Sequence, residues 1–280
     1  MKWLFVLLLA LVIFGGAAWF GYHTFVKEEI ELKKEQRGEV TPAPVPDISL
    51  PEFQAAAQLQ QQGKLAEARE ALIAFIQKYP TGLHLEEAKD LLGEVNVDIL
   101  LSRYPSPEKT EYIVKSGDVL AKIARKLKTT PELIMRMNNM SATMLRIGER
   151  LLISHPDFSI VVQRKANLVV LLNHGAFFKQ YHVREAKPPP KQPSTITAKV
   201  AETMAWKGGK RVGLGSKDYI DSTRWIRLAG APAYTLYSIP DAAHPNVEQP
   251  PPPSGLGMAA SDVEELSSLV NNRTSVTITD

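Results

Sequence analysis

The strongest hydrophobic signal in the chain is an apolar run close to its N-terminus. Residues 3–22 include no charged side chain, and a stretch rich in Lys and Glu follows them. A helix of that length rises roughly 30 Å, which is enough to cross the hydrocarbon core of a bilayer. The run therefore predicts an uncleaved transmembrane helix within residues 1–26. A cleaved signal peptide is the alternative, because the small residues at positions 16–18 resemble a cleavage site.

A linker and a helical segment follow the apolar run. Residues 27–51 are first charged and then rich in proline, a composition that favours a stiff, extended spacer. Over residues 52–103 apolar side chains recur at helical spacing, with breaks at Gly63 and Pro80. This pattern predicts a helix pair and a third helix, and it loosely resembles a tetratricopeptide repeat. A single repeat does not bury its own faces, so we expect it to pack against something else, either as a spacer or as a groove for a protein partner.

Residues 111–154 predict a compact β-α-α-β module. A short β-type run that begins at Tyr112 ends at a Ser-Gly-Asp turn, and apolar residues at helical spacing come next. Thr130 is placed to cap a second helix that has Pro131 at its first position. A glycine turn then leads to a second strand at residues 150–154.

The motifs of this module resemble those of the LysM family of glycan-binding modules. The matching stretches are YIVKSGDVLAKIA, TTPELIMRMNN and IGERLLI. In that family two loops at one end of the module grip glycans that contain N-acetylglucosamine, such as peptidoglycan. The resemblance implies a glycan site made of Gly117, Asp118, Val119, Met140, Ser141, Ala142 and Ile147.

The contribution of three positions to glycan binding needs separate comment. Val119 stands where the LysM family usually has Thr or Ser, so one hydroxyl is missing from the first loop. Asp118 is as well suited to capping the first helix as to contacting a sugar. Asn138 is expected to fix the second loop through a buried amide rather than to bind the ligand.

From residue 157 to residue 280 the pattern changes to short apolar runs separated by turns, which predicts a mostly-β domain. His174 lies in an Asn-His-Gly turn between two such runs, so we interpret it as structural. The runs IVVQRKANLVVLLNHGAFFKQYHV and STRWIRLAG, with the C-terminal helix and strand, resemble the L,D-transpeptidase (YkuD-type) family. The predicted fold class is therefore a multidomain α+β chain.

The transpeptidase resemblance implies a cysteine nucleophile, and the chain contains no cysteine. Members of that family attack peptidoglycan stem peptides with a thiolate that a nearby histidine activates. Aligned on residues 261–266, the cysteine position falls at about Gly255, the motif histidine at about Pro253 and the arginine at about Gly257. The upstream histidine falls near Tyr237. The domain is therefore predicted to be a degenerate enzyme.

A serine nucleophile is the alternative for this domain. Ser254 lies near the cysteine position and Ser238 near that of the upstream histidine. A serine needs a positioned base, and His244 is the nearest candidate in the sequence.

The composition limits the classes of partner and cofactor that we expect this chain to bind. The net charge is only +3, from 33 basic and 30 acidic residues, and no basic block alternates with aromatics, so no nucleic-acid partner is expected. The absence of cysteine excludes disulfides and thiolate metal sites, and we expect neither a metal nor a cofactor.

These features together predict a peptidoglycan-binding protein of the bacterial inner membrane. A single span would hold it, and the bulk of the chain would face the periplasm. The transpeptidase-like domain would serve structure or recognition. A cell-wall enzyme that uses a serine, and an envelope scaffold that acts mainly through protein–protein contacts, are the two alternatives.

Overall fold

The fold is described from a computed structural model of the chain. The structure describes residues 19, 22, 27, 47–189, 193–230, 234–251 and 254–280. Apart from isolated positions, the predicted transmembrane helix and the linker up to residue 46 lie outside the described residues. Within the described ranges, no helix combines the length and the apolarity that a membrane span requires. Residues Met1–Ile48 and Ser49–Asp280 form two separate units, and every element below belongs to the second.

The helical segment consists of three helices, as the periodicity predicted. These are α1 (Leu50–Gln61), α2 (Leu65–Lys78) and α3 (Leu85–Leu101). Gly63 has a φ of +72°, which lets the chain turn between the first two helices. The helices share a small core of their own, made of Ala56, Ala68, Leu72, Phe75, Ala88, Leu92, Val95 and Ile99. The resemblance to a tetratricopeptide repeat stays a prediction.

The β-α-α-β module has the predicted order of elements. It comprises β1 (Lys109–Ile113), α4 (Leu120–Lys126), α5 (Pro131–Met137) and β2 (Arg150–Ser154), with β1 and β2 antiparallel. The first strand begins earlier than its sequence pattern suggests, because β2 offers it partners as far as Ser154. Thr130 caps α5 as predicted, since its hydroxyl accepts a 2.9 Å hydrogen bond from the Leu133 N–H.

The C-terminal region forms one closed sheet. Its strands are β3 (Phe158–Gln163), β4 (Leu168–Asn173), β5 (Ala176–Lys187), β6 (Ile196–Lys207), β7 (Lys210–Val212), β8 (Thr223–Ala229), β9 (Thr235–Ile239), β10 (Gly255–Ala259) and β11 (Ser275–Thr279). Closure comes from β11, which pairs in parallel with β3 and antiparallel with β6. His174, with a φ of +50°, lies in the turn between β4 and β5, as predicted.

One hydrophobic core joins the three parts of the chain. It contains most of the inward side chains of the closed sheet and of the C-terminal helix α6 (Ala260–Leu269). Val97 and Leu100 of α3 and Leu133 and Met137 of α5 are buried in the same core. The sequence pattern predicted separate domains, whereas the structure packs them as a continuous body.

Helix α3 docks on strand β5 through a glycine. A Cβ added at Gly93 would lie 2.7 Å from the Cγ and 3.2 Å from the Cα of Lys179. This close approach allows the side-chain amide of Asn96 to donate a 2.7 Å hydrogen bond to the Phe178 carbonyl. The helical segment thus packs against the rest of the chain, as we expected.

The lysine beneath Gly93 is buried, and it is paired with one exposed carboxylate and one partly buried carboxylate. The Lys179 ammonium lies 2.7 Å from the Glu94 carboxylate and 2.8 Å from that of Glu265. A buried charge is tolerated only with such partners. Asp262 also lies in this region, and burial raises the pKa of its carboxyl to about 6. The α3–β5 contact is therefore both close-packed and charge-paired.

Replacing Gly93 by alanine is expected to lower the free energy of unfolding. Overpacking against Lys179 costs about 1–3 kcal/mol, and the better helix propensity of alanine returns at most about 1 kcal/mol. Urea unfolding followed by circular dichroism would measure the net loss. Gly213→Ala is the control, because nothing lies within 4 Å of its added Cβ. A Gly93→Ala protein as stable as the wild type would contradict this packing.

Candidate functional site

The first predicted glycan loop is held by an aspartate. The Asp118 carboxylate accepts a 2.8 Å hydrogen bond from the Lys115 N–H and a 2.9 Å bond from the Tyr112 hydroxyl. The first of these bonds, aided by the second, holds the pKa of Asp118 below its usual value. Gly117, with a φ of +81°, supplies the turn between them. This carboxylate therefore shapes the loop.

The capping role that we considered for Asp118 is wrong, because another residue occupies that position. Val119 is the N-cap of α4, with extended backbone angles. Its side chain has no oxygen to accept a hydrogen bond from the first turn of the helix. The missing hydroxyl thus affects both the helix end and the polar surface of the loop.

The second predicted loop is fixed by an asparagine. The Asn138 side-chain amide donates to the Ile134 carbonyl at 2.7 Å and to the Leu152 carbonyl at 2.8 Å. Its side-chain oxygen accepts a 2.8 Å hydrogen bond from the Leu152 N–H. The expectation that Asn138 fixes the loop is confirmed.

The end of the second loop lies beside the start of the first loop. The Gly148 N–H donates a 2.8 Å hydrogen bond to the Val114 carbonyl, and the Val114 N–H donates a 2.9 Å bond to the Glu149 carbonyl. These bonds join the end of the second loop, next to Ile147, to the start of the first loop. That the predicted positions together form a glycan site stays a prediction.

The site presents apolar side chains to solvent. Val119 is 51% exposed, Ile147 75% and Met144 83%. Exposed apolar groups of this size on short, pinned loops are suited to ligand contact. Met144 was missed by the sequence analysis, although a large apolar residue in a polar loop is a visible signal. The remaining predicted positions are exposed at Gly117, Ser141 and Ala142 and half-buried at Asp118 and Met140.

The positions that the sequence aligned with the transpeptidase motif are closely packed by neighbouring strands. A Cβ at Gly255 would lie 1.9 Å from the Thr235 carbonyl oxygen, and one at Gly257 would lie 2.3 Å from Cδ1 of Ile239. Neither position admits a cysteine side chain unless the neighbours move. Tyr237 is buried, its hydroxyl donates to Glu185 at 3.1 Å, and burial raises its pKa to about 12. Pro253 lies outside the described residues.

In the described part of the chain, no histidine is hydrogen-bonded to either of the two serines that we considered as a nucleophile. The Ser238 hydroxyl is buried and donates a 2.9 Å hydrogen bond to the Arg224 carbonyl. His244 Nε2 lies 3.1 Å from the Glu264 carboxylate, and its Nδ1 lies 3.5 Å from that of Asp241. Among the described residues, no hydrogen bond joins this histidine to Ser238 or Ser254, and no His/Asp/Glu group is arranged to hold a metal ion.

Comparison with known protein families assigns the β-α-α-β module. Residues 112–154 match the model of the LysM domain. This segment is a LysM domain. The match leaves the helical segment and the closed sheet unassigned, and no curated protein matches the chain.

Solved structures share a weak likeness with the chain. Among them is an L,D-transpeptidase from Enterococcus faecium, determined as a cysteine-to-serine mutant. The identity is 14%, over 44% of this chain and 49% of that one, with a TM-score of 0.26. A likeness of this size assigns neither fold nor activity, so the transpeptidase resemblance stays a prediction.

A polar cluster, buried at Arg224 and partly buried at Glu132 and Tyr219, joins the LysM domain to the closed sheet. Glu132 of α5 accepts a hydrogen bond from the Tyr219 hydroxyl and lies 3.8 Å from Nε of Arg224. The guanidinium of Arg224 lies 4.0 Å from the centre of the Tyr219 ring, and one of its N–H groups donates to the Tyr219 carbonyl at 2.9 Å. Burial raises the pKa of Glu132. The connection between β7 and β8 is thereby fixed to the LysM domain.

Replacing Tyr219 by phenylalanine is expected to destabilise the protein by about 1–3 kcal/mol, because it removes a hydrogen bond from the partly buried Glu132 carboxylate. Urea unfolding at neutral pH would measure the loss. Tyr104→Phe is the matched control, since Tyr104 is 48% exposed and should tolerate the change within about 0.5 kcal/mol. Equal stability of the two variants would refute this contact.

Proposed function

We propose that this chain is a peptidoglycan-binding protein of the bacterial cell envelope. The LysM domain at residues 112–154 is the single observation that carries the proposal. The two loops at one end of that domain are the proposed contact surface for N-acetylglucosamine-containing glycan.

The geometry of these loops supports sugar binding. A pyranose ring has an apolar face and a polar edge, so it needs apolar side chains next to fixed hydrogen-bonding groups. Ile147, Met144 and Val119 supply exposed apolar surface. Asp118 and Asn138 fix the two loops through hydrogen bonds. Loops that are ordered before binding lose less conformational entropy when the ligand arrives.

We further propose that the closed sheet does not catalyse transpeptidation. A thiol nucleophile is excluded because the chain has no cysteine. The tight packing at Gly255 and Gly257, and the engagement of the Ser238 hydroxyl by a backbone carbonyl, support the same proposal. The sheet would then serve as the body on which the LysM domain is mounted.

Attachment to the membrane is part of the proposal. The apolar run at residues 3–22 supports it, with the charged and proline-rich linker as a spacer between the bilayer and the folded unit. The bulk of the chain would then face the periplasm. A protein partner for residues 52–103 stays a prediction, and the scaffold role depends on it.

Retention of the full chain on purified sacculi tests the glycan site. Ile147→Glu is expected to reduce the retained fraction about tenfold, because it places a carboxylate in an apolar contact that must lose water on binding. Ile73→Glu is the matched control, since Ile73 is an exposed isoleucine on α2, outside the LysM domain. Failure of the wild type to bind sacculi, or equal loss in both variants, would overturn the proposed function.

A separate experiment tests the proposed lack of catalysis. The full chain is incubated with muropeptides, and the products are analysed by mass spectrometry. We expect no change in mass, either for the wild type or for Ser254→Ala. A new crosslinked or cleaved product that disappears in Ser254→Ala would show that the serine is a nucleophile.

A further inference from the structure

A cleft lies between the LysM domain and the closed sheet, next to the second glycan loop. Its volume is about 680 Å³, within the range of about 300–1,000 Å³ that is typical of ligand sites. Helix α5 and residues 139 and 140 form one wall. The β7–β8 connection and helix α6 form the other.

The cleft is continuous with the proposed glycan site. Met140 belongs to both, because it is a predicted glycan contact and also lines the cleft. Further along the same loop, Thr143 lies against the β7–β8 connection. A Cβ at Gly215 would be 3.1 Å from the Thr143 hydroxyl oxygen. A glycan that leaves the second loop on this side therefore meets the β7–β8 connection directly.

The walls of the cleft have the mixed character that a sugar chain requires. Leu214 and Ile220 on one side and Met135 on the other are apolar, and Ile220 is 59% exposed. Charged and amide side chains alternate with them, including Arg136 and Glu264. An exposed isoleucine in a polar cleft offers a ring face a place to pack, and the neighbouring polar groups can hydrogen-bond to hydroxyls.

The polar cluster of Glu132, Tyr219 and Arg224 lines the cleft and ties its two walls together. Tyr219 belongs to the β7–β8 connection and is bonded to Glu132 of the LysM domain, while Arg224 stacks on its ring. The side-chain guanidinium of Arg136 donates a 2.8 Å hydrogen bond to the Ser268 hydroxyl of α6. Both walls are thereby fixed relative to the LysM loops, so the cleft exists before any ligand binds.

We propose that this cleft is a second glycan subsite, in which Leu214 and Ile220 of the closed-sheet domain contact sugar units beyond those held by the LysM loops. The ligand class is a β-linked chain of N-acetylhexosamines. This inference rests on the proposed function and extends it. The closed sheet becomes part of the binding surface, and the protein selects longer glycan chains over shorter ones.

Calorimetric titration of the full chain with N-acetylglucosamine oligomers tests the subsite. The trimer reports on the LysM loops, whereas the hexamer is long enough to enter the cleft. We expect the wild type to bind the hexamer about tenfold more tightly than the trimer. Ile220→Ser should weaken hexamer binding about fivefold, through the loss of part of one apolar contact, and leave trimer binding within about twofold.

Ile73→Ser is the matched control and should leave both affinities unchanged. Ile220 and Ile73 are both exposed, so neither substitution removes a core side chain. Equal affinity of the wild type for trimer and hexamer, or a hexamer affinity that Ile220→Ser does not alter, would overturn the subsite while the trimer still supports the proposed function. Absence of binding by both oligomers would overturn the proposed function and this inference with it.

Discussion

Burial of Leu133 and Met137 in the core of the closed sheet is the constraint on which the arrangement of this protein depends. Each side chain contributes roughly 1.5–3 kcal/mol when it is fully buried. Both lie on α5, so this helix faces the sheet and cannot rotate without exposing them. The LysM domain keeps its own small core around Ile134 and Leu151, which packs on an adjacent face of the helix. Helix α5 therefore contributes side chains to both cores. This shared helix fixes the orientation of the LysM domain relative to the closed sheet.

Polar contacts around that helix make the orientation specific. Thr130, at the start of α5, donates a hydrogen bond to the Ser268 carbonyl, and Arg136, near its end, bonds to the hydroxyl of the same serine. Glu132 lies between them and faces Tyr219 and Arg224. A buried carboxylate is costly unless it is paired, so an alternative docking angle would leave Glu132 without compensation. The proposed glycan loops and the cleft follow from this angle.

Strand β10 packs very closely against its neighbours in the closed sheet. The face of β10 opposite to the main core has glycines at residues 255 and 257, and the neighbouring strands occupy the space where side chains would lie. Tyr237, Trp225 and Met204 form a small apolar cluster at this place. A nucleophile needs a side chain that is exposed to substrate and contacts a base. The described residues of this region instead form a packed cluster whose polar atoms are bonded to Glu185 and Gln249.

Many of the helices and turns of this protein could be predicted from the sequence, because they depend on residues that are near neighbours in the chain. Helical spacing located α1 to α3, the Thr130-Pro131 pair located the start of α5, and the turn at His174 located a hairpin. The LysM motifs identified the module and implied its two loops. The sequence also showed that these 280 residues contain no cysteine.

Contacts between distant residues were decided only by the tertiary structure, because no local pattern records them. The closure of the sheet by β11, the approach of Gly93 to Lys179 and the pairing of Tyr219 with Glu132 each join segments far apart in sequence. The role of Asp118 was ambiguous in the sequence, since a carboxylate near a helix start suits a cap or a turn equally. The hydrogen bonds that its carboxylate accepts from the Lys115 N–H and the Tyr112 hydroxyl show that it fixes the turn. The sequence alone thus identified a LysM module, and the fold placed its loops beside a cleft that no motif records.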